Sequence, residues 1–109
     1  PGARIGDIGY AIQSVAKQHR LSIVYGFSGH GVGRHIHEDP YVTNTGKPGK
    51  GEKLVPGMVI AIEPMFTLGS ENVVLMKDQW TYKTDDNSRA AHFEHTVLIT
   101  ESGYEILTM

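Results

Sequence analysis

Apolar residues near the start of the chain recur at the spacing of an amphipathic helix. They lie three or four residues apart, at Ile5, Ile8, Ile12 and Val15. This spacing places them on one helical face, so the segment predicts a helix from Ile5 to about His19. Asp7 in the first turn and Lys17 near the end suit the helix dipole.

Runs of β-branched and aromatic residues predict strands over the rest of the chain. The expected strands are residues 21–25, 58–62, 73–76, 81–84, 92–100 and 104–107. Residues 58–62 are apolar throughout and are expected to be buried on both faces, whereas 73–76 and 81–84 predict a hairpin. One helix followed mostly by strands predicts an α+β fold with an antiparallel-rich sheet.

Two glycine-rich stretches interrupt this pattern. Residues 26–40 predict a loop whose glycines provide unusual dihedral angles or close backbone approach. Residues 44–55 predict a surface loop, and Pro56-Gly57 predicts a turn.

Composition limits the class of protein. The 109 residues are enough for one domain, and a net charge of −2 argues against a strongly basic nucleic-acid binder. Cysteine is absent, and the apolar run 58–62 is far shorter than the roughly 20 residues of a membrane-spanning helix. The chain opens at Pro1 without a signal peptide, so we expect a mature product or a fragment that resides in the cytoplasm.

Histidines and glutamates provide the candidate chemistry. Three of the six histidines lie between residues 30 and 37, and they are either ligands or solvated loop residues. Glu63 ends the apolar run, where an ionised carboxylate needs a partner unless it faces solvent. Glu94 lies between Phe93 and His95 and is either a ligand or part of a structural ion pair.

Together these residues suggest a site with one histidine and two glutamates that binds a divalent cation. Bridging carboxylates favour a pair of ions of the kind used in hydrolysis. Three side chains are too few for two ions, because each ion usually takes about four to six ligands. The site is therefore either mononuclear or completed by ligands from outside this chain.

Five segments in this order resemble the carboxy-terminal half of a type I methionine aminopeptidase, over essentially all of residues 1–109. The segments are Gly29-His30-Gly31-Val32-Gly33, His37-Glu38-Asp39-Pro40, Ile62-Glu63-Pro64-Met65, Lys77-Asp78-Gln79-Trp80-Thr81 and Phe93-Glu94-His95-Thr96. The resemblance implies half of a pita-bread fold, with one main helix on a curved sheet. It also implies removal of the initiator methionine from nascent proteins that have a small second residue.

The resemblance assigns roles to individual residues. It makes His37, Glu63 and Glu94 metal ligands, with Glu94 bridging the ions and Glu63 also contacting the nucleophilic water. His30 matches a histidine that assists catalysis from beside the metal ligands. Cobalt, manganese, iron and zinc are the candidate metals for a pair of ions.

Three further residues are candidate substrate contacts. Trp80 matches an aromatic residue near the methionine pocket, although ordinary packing is the alternative, and Met65 lies beside Glu63. Asn44 stands seven residues after His37, where many members of the family have a second active-site histidine. An amide cannot hold a proton at neutral pH, so this departure puts the proton-handling role of that position in doubt.

The resemblance also places two aspartate ligands and another histidine in an amino-terminal half that this sequence lacks. We therefore expect negligible activity from the chain alone, and either pairing with the missing half or self-association. The alternatives are a proline-specific aminopeptidase or prolidase of the same fold, and a non-catalytic binding module.

Overall fold

A computed structural model describes all 109 residues, which form one helix and ten short strands. The helix, α1, runs over Ile5–Gln18. The strands in chain order are β1 Ser22–Ile23, β2 Gly29–Gly31, β3 Glu38–Val42, β4 Val59–Ile62, β5 Met65–Thr67, β6 Val73–Leu75, β7 Tyr82–Thr84, β8 Ala90–His92, β9 His95–Ile99 and β10 Tyr104–Ile106. The α+β prediction is confirmed, and every strand pair is antiparallel.

Helix α1 begins with a side-chain cap. The carboxylate of Asp7 accepts hydrogen bonds from the backbone N–H of Arg4 at 2.7 Å and of Gly49 at 2.9 Å. These two bonds, the one from Arg4 first, hold the pKa of Asp7 below its ordinary value of 3.8. The cap therefore joins the start of the helix to a loop more than 40 residues further along the chain.

The buried face of α1 only partly matches the predicted one, since Ile5 is buried and Ile8 packs against the core. Gly6 and Gly9 are also buried, against backbone carbonyls of residues 45–50, whereas Val15 remains 47% exposed. Residues 44–55 form the predicted loop, but Asn44 and Leu54 within it are buried. The glycines let the helix approach this loop closely. Because the helix contacts the loop through its glycine side, the face that carries Val15 is only partly covered.

A five-stranded sheet forms the centre of the fold, in the order β10-β9-β4-β2-β3. Its face toward α1 carries the core. The core residues are Ile5, Val42, Leu54, Ile60, Val97 and Ile99. Within the run 58–62, Ile60 and Ala61 are fully buried, while Val59 and Ile62 are partly covered by neighbouring residues.

The prediction of a continuous loop over residues 26–40 is wrong, because β2 lies within it and β3 begins there. An added Cβ at Gly29 would lie 2.1 Å from the carbonyl oxygen of Ala61, and one at Gly31 would lie 2.1 Å from that of Asp39. The glycines therefore permit close backbone approach within a sheet, which was one of the two roles expected of them.

The long strand predicted over residues 92–100 is interrupted. β8 belongs to a three-stranded sheet with β1 and β5, whereas β9 belongs to the central sheet. Strand β5 was not predicted at all. The predicted hairpin is present as β6 and β7, with Trp80 in its turn.

Part of the apolar surface beside α1 is open. A cavity of about 410 Å³ lies there, lined mainly by apolar side chains that include Ile8, Ile62 and Tyr104. α1 is the single helix, and it lacks the length and apolarity that crossing a bilayer requires.

Candidate metal centre

Three neighbouring strands place the candidate ligands on one face of the central sheet. In the register of β2, β4 and β9, His30 pairs with Ala61, and Ala61 pairs with Thr96. Directly opposed residues project to the same face, so these three side chains form a row across the sheet. This face lies opposite the one that packs on α1, and Ala61 at its centre is fully buried.

Glu63 and Glu94 lie one step beyond this row, where two strands leave the central sheet together. Ile62 pairs with His95 in the central sheet, and Met65 pairs with His92 in the smaller sheet. Between these pairs, the backbone N–H of Phe93 donates to the carbonyl oxygen of Pro64 at 3.1 Å. The two segments thus cross between the sheets side by side, each carrying one glutamate.

His30, Glu63 and Glu94 form the group with metal-binding potential. One ligand atom from each lies within 4.8 Å of the others. The Nε2 atom of His30 lies 3.0 Å from Oε2 of Glu63, and both side chains are largely buried, with 10% and 14% exposed. Glu94 is exposed, so the group opens to solvent on one side.

The tautomer of His30 fits a metal ion. Its Nδ1 lies 2.9 Å from the carbonyl oxygen of Gly31, which can only accept a hydrogen bond, so Nδ1 carries a proton. A neutral ring protonated at Nδ1 has its free lone pair on Nε2, where it can coordinate a cation that the carboxylate of Glu63 also binds. One imidazole nitrogen and two carboxylates that converge in this way suit manganese, iron, cobalt or zinc.

The structure does not bring His37 into this group. Its ring lies beside that of His30, with the ring centroids 4.3 Å apart, and it is exposed. His37 and His35 both line an open cavity of about 480 Å³ that His30 borders. His37 therefore lies next to the candidate metal centre, on its solvent side.

The three predicted substrate contacts are dispersed. Asn44 is buried, and its Nδ2 donates to the backbone carbonyl oxygen of Glu63 at 3.4 Å, so it lies beneath the site. Met65 is partly buried in β5.

Trp80 lies in the turn between β6 and β7 and is 86% exposed. Asp78 organises this turn. The hydroxyl and then the backbone N–H of Thr81, followed by the N–H of Trp80, hold the pKa of Asp78 below 3.8. The carboxylate of Asp78 thereby fixes the backbone conformation of the turn that carries the indole of Trp80.

One neighbour of the site was missed in the sequence. The Nε2 atom of His92 lies 3.7 Å from Oε1 of Glu63. His92 stands two residues before Glu94, a spacing that puts two side chains on one face of an extended strand. That spacing was the only sign in the sequence that His92 lies near the site. It became informative only once the structure showed that residues 92–94 lie beside residues 63–65.

The sequence pattern of metallopeptidase family M24 matches residues 1–101. The chain is a member of family M24. The match covers most of the chain and includes His30, Glu63 and Glu94.

Bacterial methionine aminopeptidases are among the most similar M24 relatives. The chain is 49% identical over 108 residues to methionine aminopeptidase 1 of Bacillus subtilis and 50% identical over 109 residues to methionine aminopeptidase A of Synechocystis. The alignments cover 99% and 100% of this chain, but only 44% and 43% of the relatives. The M24 chain thus spans less than half the length of these relatives.

Solved structures confirm the expected fold. The methionine aminopeptidase of Thermotoga maritima gives a TM-score of 0.96 at 51% identity, covering 99% of this chain and 43% of that one. The enzyme of Rickettsia prowazekii gives 0.95 at 47% identity, covering 100% and 44%. A prolidase from Pyrococcus furiosus gives 0.68 at 27% identity, covering 100% and 26%. The chain therefore has part of the pita-bread fold of methionine aminopeptidases.

Proposed function

We propose that this chain is the carboxy-terminal half of a metal-dependent methionine aminopeptidase. The complete protein removes the initiator methionine from nascent proteins with a small second residue, and it acts in the cytoplasm, where nascent chains emerge. The convergence of His30, Glu63 and Glu94 supports this proposal most strongly, because three segments far apart in the sequence meet with ligand atoms within 4.8 Å.

We assign the histidine ligand to His30 in place of His37. The proximity of Nε2 of His30 to Glu63 and the proton on its Nδ1 support this assignment. The resemblance puts a second active-site histidine seven residues after the ligand, and counting from His30 that residue is His37. Asn44 then no longer stands at a catalytic position, and the proton-handling role passes to His37.

Two divalent ions complete the site in the whole protein, and their remaining ligands come from the amino-terminal half. When bound, such ions polarise the carbonyl group of the first residue and make water a better nucleophile. Glu94 would hold the ions as their shared ligand, the role that the resemblance implies. Glu63 would hold an ion, and its largely buried carboxylate would accept the proton of the attacking water.

The substrate contacts in this half are Trp80 and Met65. Exposure of 86% leaves the indole of Trp80 free to pack on the methionine side chain. Met65 follows Glu63 by two residues and lies at the junction of the two sheets.

A direct test measures methionine release by the full-length translation product, loaded with manganese, from the peptide Met-Ala-Ser. We expect release from this peptide, little from a peptide with arginine in second place, and none with the variant Glu94→Ala. Cleavage of Ala-Pro in preference to Met-Ala-Ser would support a prolidase instead. Tight metal binding without cleavage of either peptide would support a binding module.

A further inference from the structure

The carboxylate of Glu63 lies between two imidazoles, one beside each oxygen. Nε2 of His30 lies 3.0 Å from Oε2, and Nε2 of His92 lies 3.7 Å from Oε1. The first contact belongs to the candidate metal centre. The second involves a residue with no role in the proposed reaction.

Backbone pairing between strands, rather than any contact of its side chain, sets the position of His92 beside Glu63. His92 pairs with Met65 in the antiparallel register of β5 and β8, and the next residue bonds to Pro64 through its backbone N–H. The imidazole of His92 makes no other ion pair or side-chain hydrogen bond, and 45% of it is exposed. It is therefore neither a core side chain nor part of another polar network.

We infer that His92 is a positioning residue for Glu63, an inference that rests on the proposed metal-binding function. The terminal torsion of a glutamate has broad minima, so an unpaired carboxylate samples several orientations. The imidazole of His92, whose Nε2 lies 3.7 Å from Oε1, restricts this rotation and keeps Oε2 aimed toward His30. Partners of this kind are ordinary in metal sites, and their loss typically lowers metal affinity about 10- to 100-fold.

The position of His92 also predicts what its removal leaves intact. A half-exposed side chain outside the core contributes little to folding, so the apo protein should melt at an unchanged temperature. The loss should appear only in metal binding. A glutamine carries an amide N–H at a distance from the backbone similar to that of Nε2, so it can restore the contact.

The experiment titrates cobalt(II) into the full-length protein and records affinity by calorimetry and the visible absorption spectrum of the bound ion. The variants are His92→Leu, His92→Gln and His30→Ala, with His19→Leu as the control for loss of an exposed histidine. We expect His92→Leu to lower affinity about 10-fold or more and to change the spectrum. We expect His92→Gln and His19→Leu to match the wild type.

Two results would overturn the inference. Wild-type affinity and spectrum in His92→Leu would show that Glu63 needs no such partner. An equal loss in His92→Gln and His92→Leu would show that the imidazole itself is required, as for a direct ligand. A third result would contradict the proposed metal centre itself rather than the role of His92. In that case His30→Ala would bind cobalt(II) with the affinity of the wild type.

Discussion

The backbone N–H of Phe93 donates a hydrogen bond to the carbonyl oxygen of Pro64, 3.1 Å away. This bond joins two segments at the point where each leaves the central sheet for the smaller one. Glu63 precedes Pro64, and Glu94 follows Phe93, so the bond fixes the spacing of the two carboxylates. The candidate metal centre thus depends on a pair of adjacent strand crossings rather than on a loop.

The first prediction distinguishes the two candidate histidine ligands. In the full-length protein, His30→Ala should lower manganese affinity by more than about 100-fold, beyond the usual cost of losing an outer partner. His37→Ala should reduce turnover while leaving affinity within about 10-fold of the wild type. Isothermal titration calorimetry measures both affinities. The reverse order of effects would restore His37 as the ligand.

The second prediction concerns the contact between α1 and the loop of residues 44–55. A Cβ at Gly9 would lie 2.2 Å from the carbonyl oxygen of Thr45. This oxygen belongs to the backbone, so relieving the clash requires the loop or the helix to shift. Gly9→Ala should therefore lower the free energy of unfolding by about 1–3 kcal/mol, although alanine favours a helix. Urea denaturation measures the change.

Gly103→Ala is the matched control for this substitution. No atom lies within 4 Å of a Cβ added at Gly103. The free energy of unfolding of the Gly103→Ala variant should therefore stay close to that of the wild type. Stabilisation by Gly9→Ala would mean that α1 does not approach the loop this closely.

The third prediction is a loss of stability in acid. Because hydrogen bonds from Arg4 and Gly49 keep the pKa of Asp7 below 3.8 in the folded state, the unfolded chain takes up this proton at a higher pH. The contribution of Asp7 to the free energy of unfolding is thus complete well above pH 3.8. It decreases as the pH falls through the folded-state pKa of this carboxyl group.

Thermal melts from about pH 6 to about pH 2.5 test this dependence. The difference in melting temperature between the wild type and Asp7→Asn should narrow as the solution is acidified. Glu101→Gln, which alters an exposed carboxylate with no hydrogen bond to the protein, is the control. A difference that stays constant with pH would contradict the role of Asp7.

The fourth prediction separates substrate binding from packing at Trp80. Because the side chain is 86% exposed, Trp80→Ala should change the free energy of unfolding by less than about 0.5 kcal/mol. In the full-length protein it should raise KM for Met-Ala-Ser roughly 10-fold or more, as expected when a pocket loses a hydrophobic contact. Tyr10→Ala, at an exposed tyrosine in α1, should leave KM unchanged.

The fifth prediction concerns the 109-residue chain by itself. The open apolar cavity beside α1 and the exposed Val15 should make it self-associate, or bind the amino-terminal half when this is supplied. Sedimentation velocity over a range of concentrations measures this. The chain should release no measurable methionine, and a strictly monomeric, active chain would contradict both expectations.

Local pattern was sufficient for the elements whose contacts are close in sequence. The apolar spacing from Ile5 predicted α1, and the paired runs on either side of Trp80 predicted the hairpin of β6 and β7. Local pattern was not sufficient for β2 and β5, which are three residues long and each pair with at least one strand more than 20 residues away in the sequence. Pattern also could not show that 92–100 changes sheets, because a strand has the same alternation in either sheet.

The sequence by itself determined that this protein has the residue types of a divalent-metal site and the signature of family M24. Side-chain chemistry and motif order are properties of the chain, so they could be read without coordinates. Only the tertiary structure decided that His30, rather than His37, meets Glu63 and Glu94, and that His92 approaches Glu63 from the other side. Those proximities arise from strand register, which is set by hydrogen bonds between segments more than 20 residues apart.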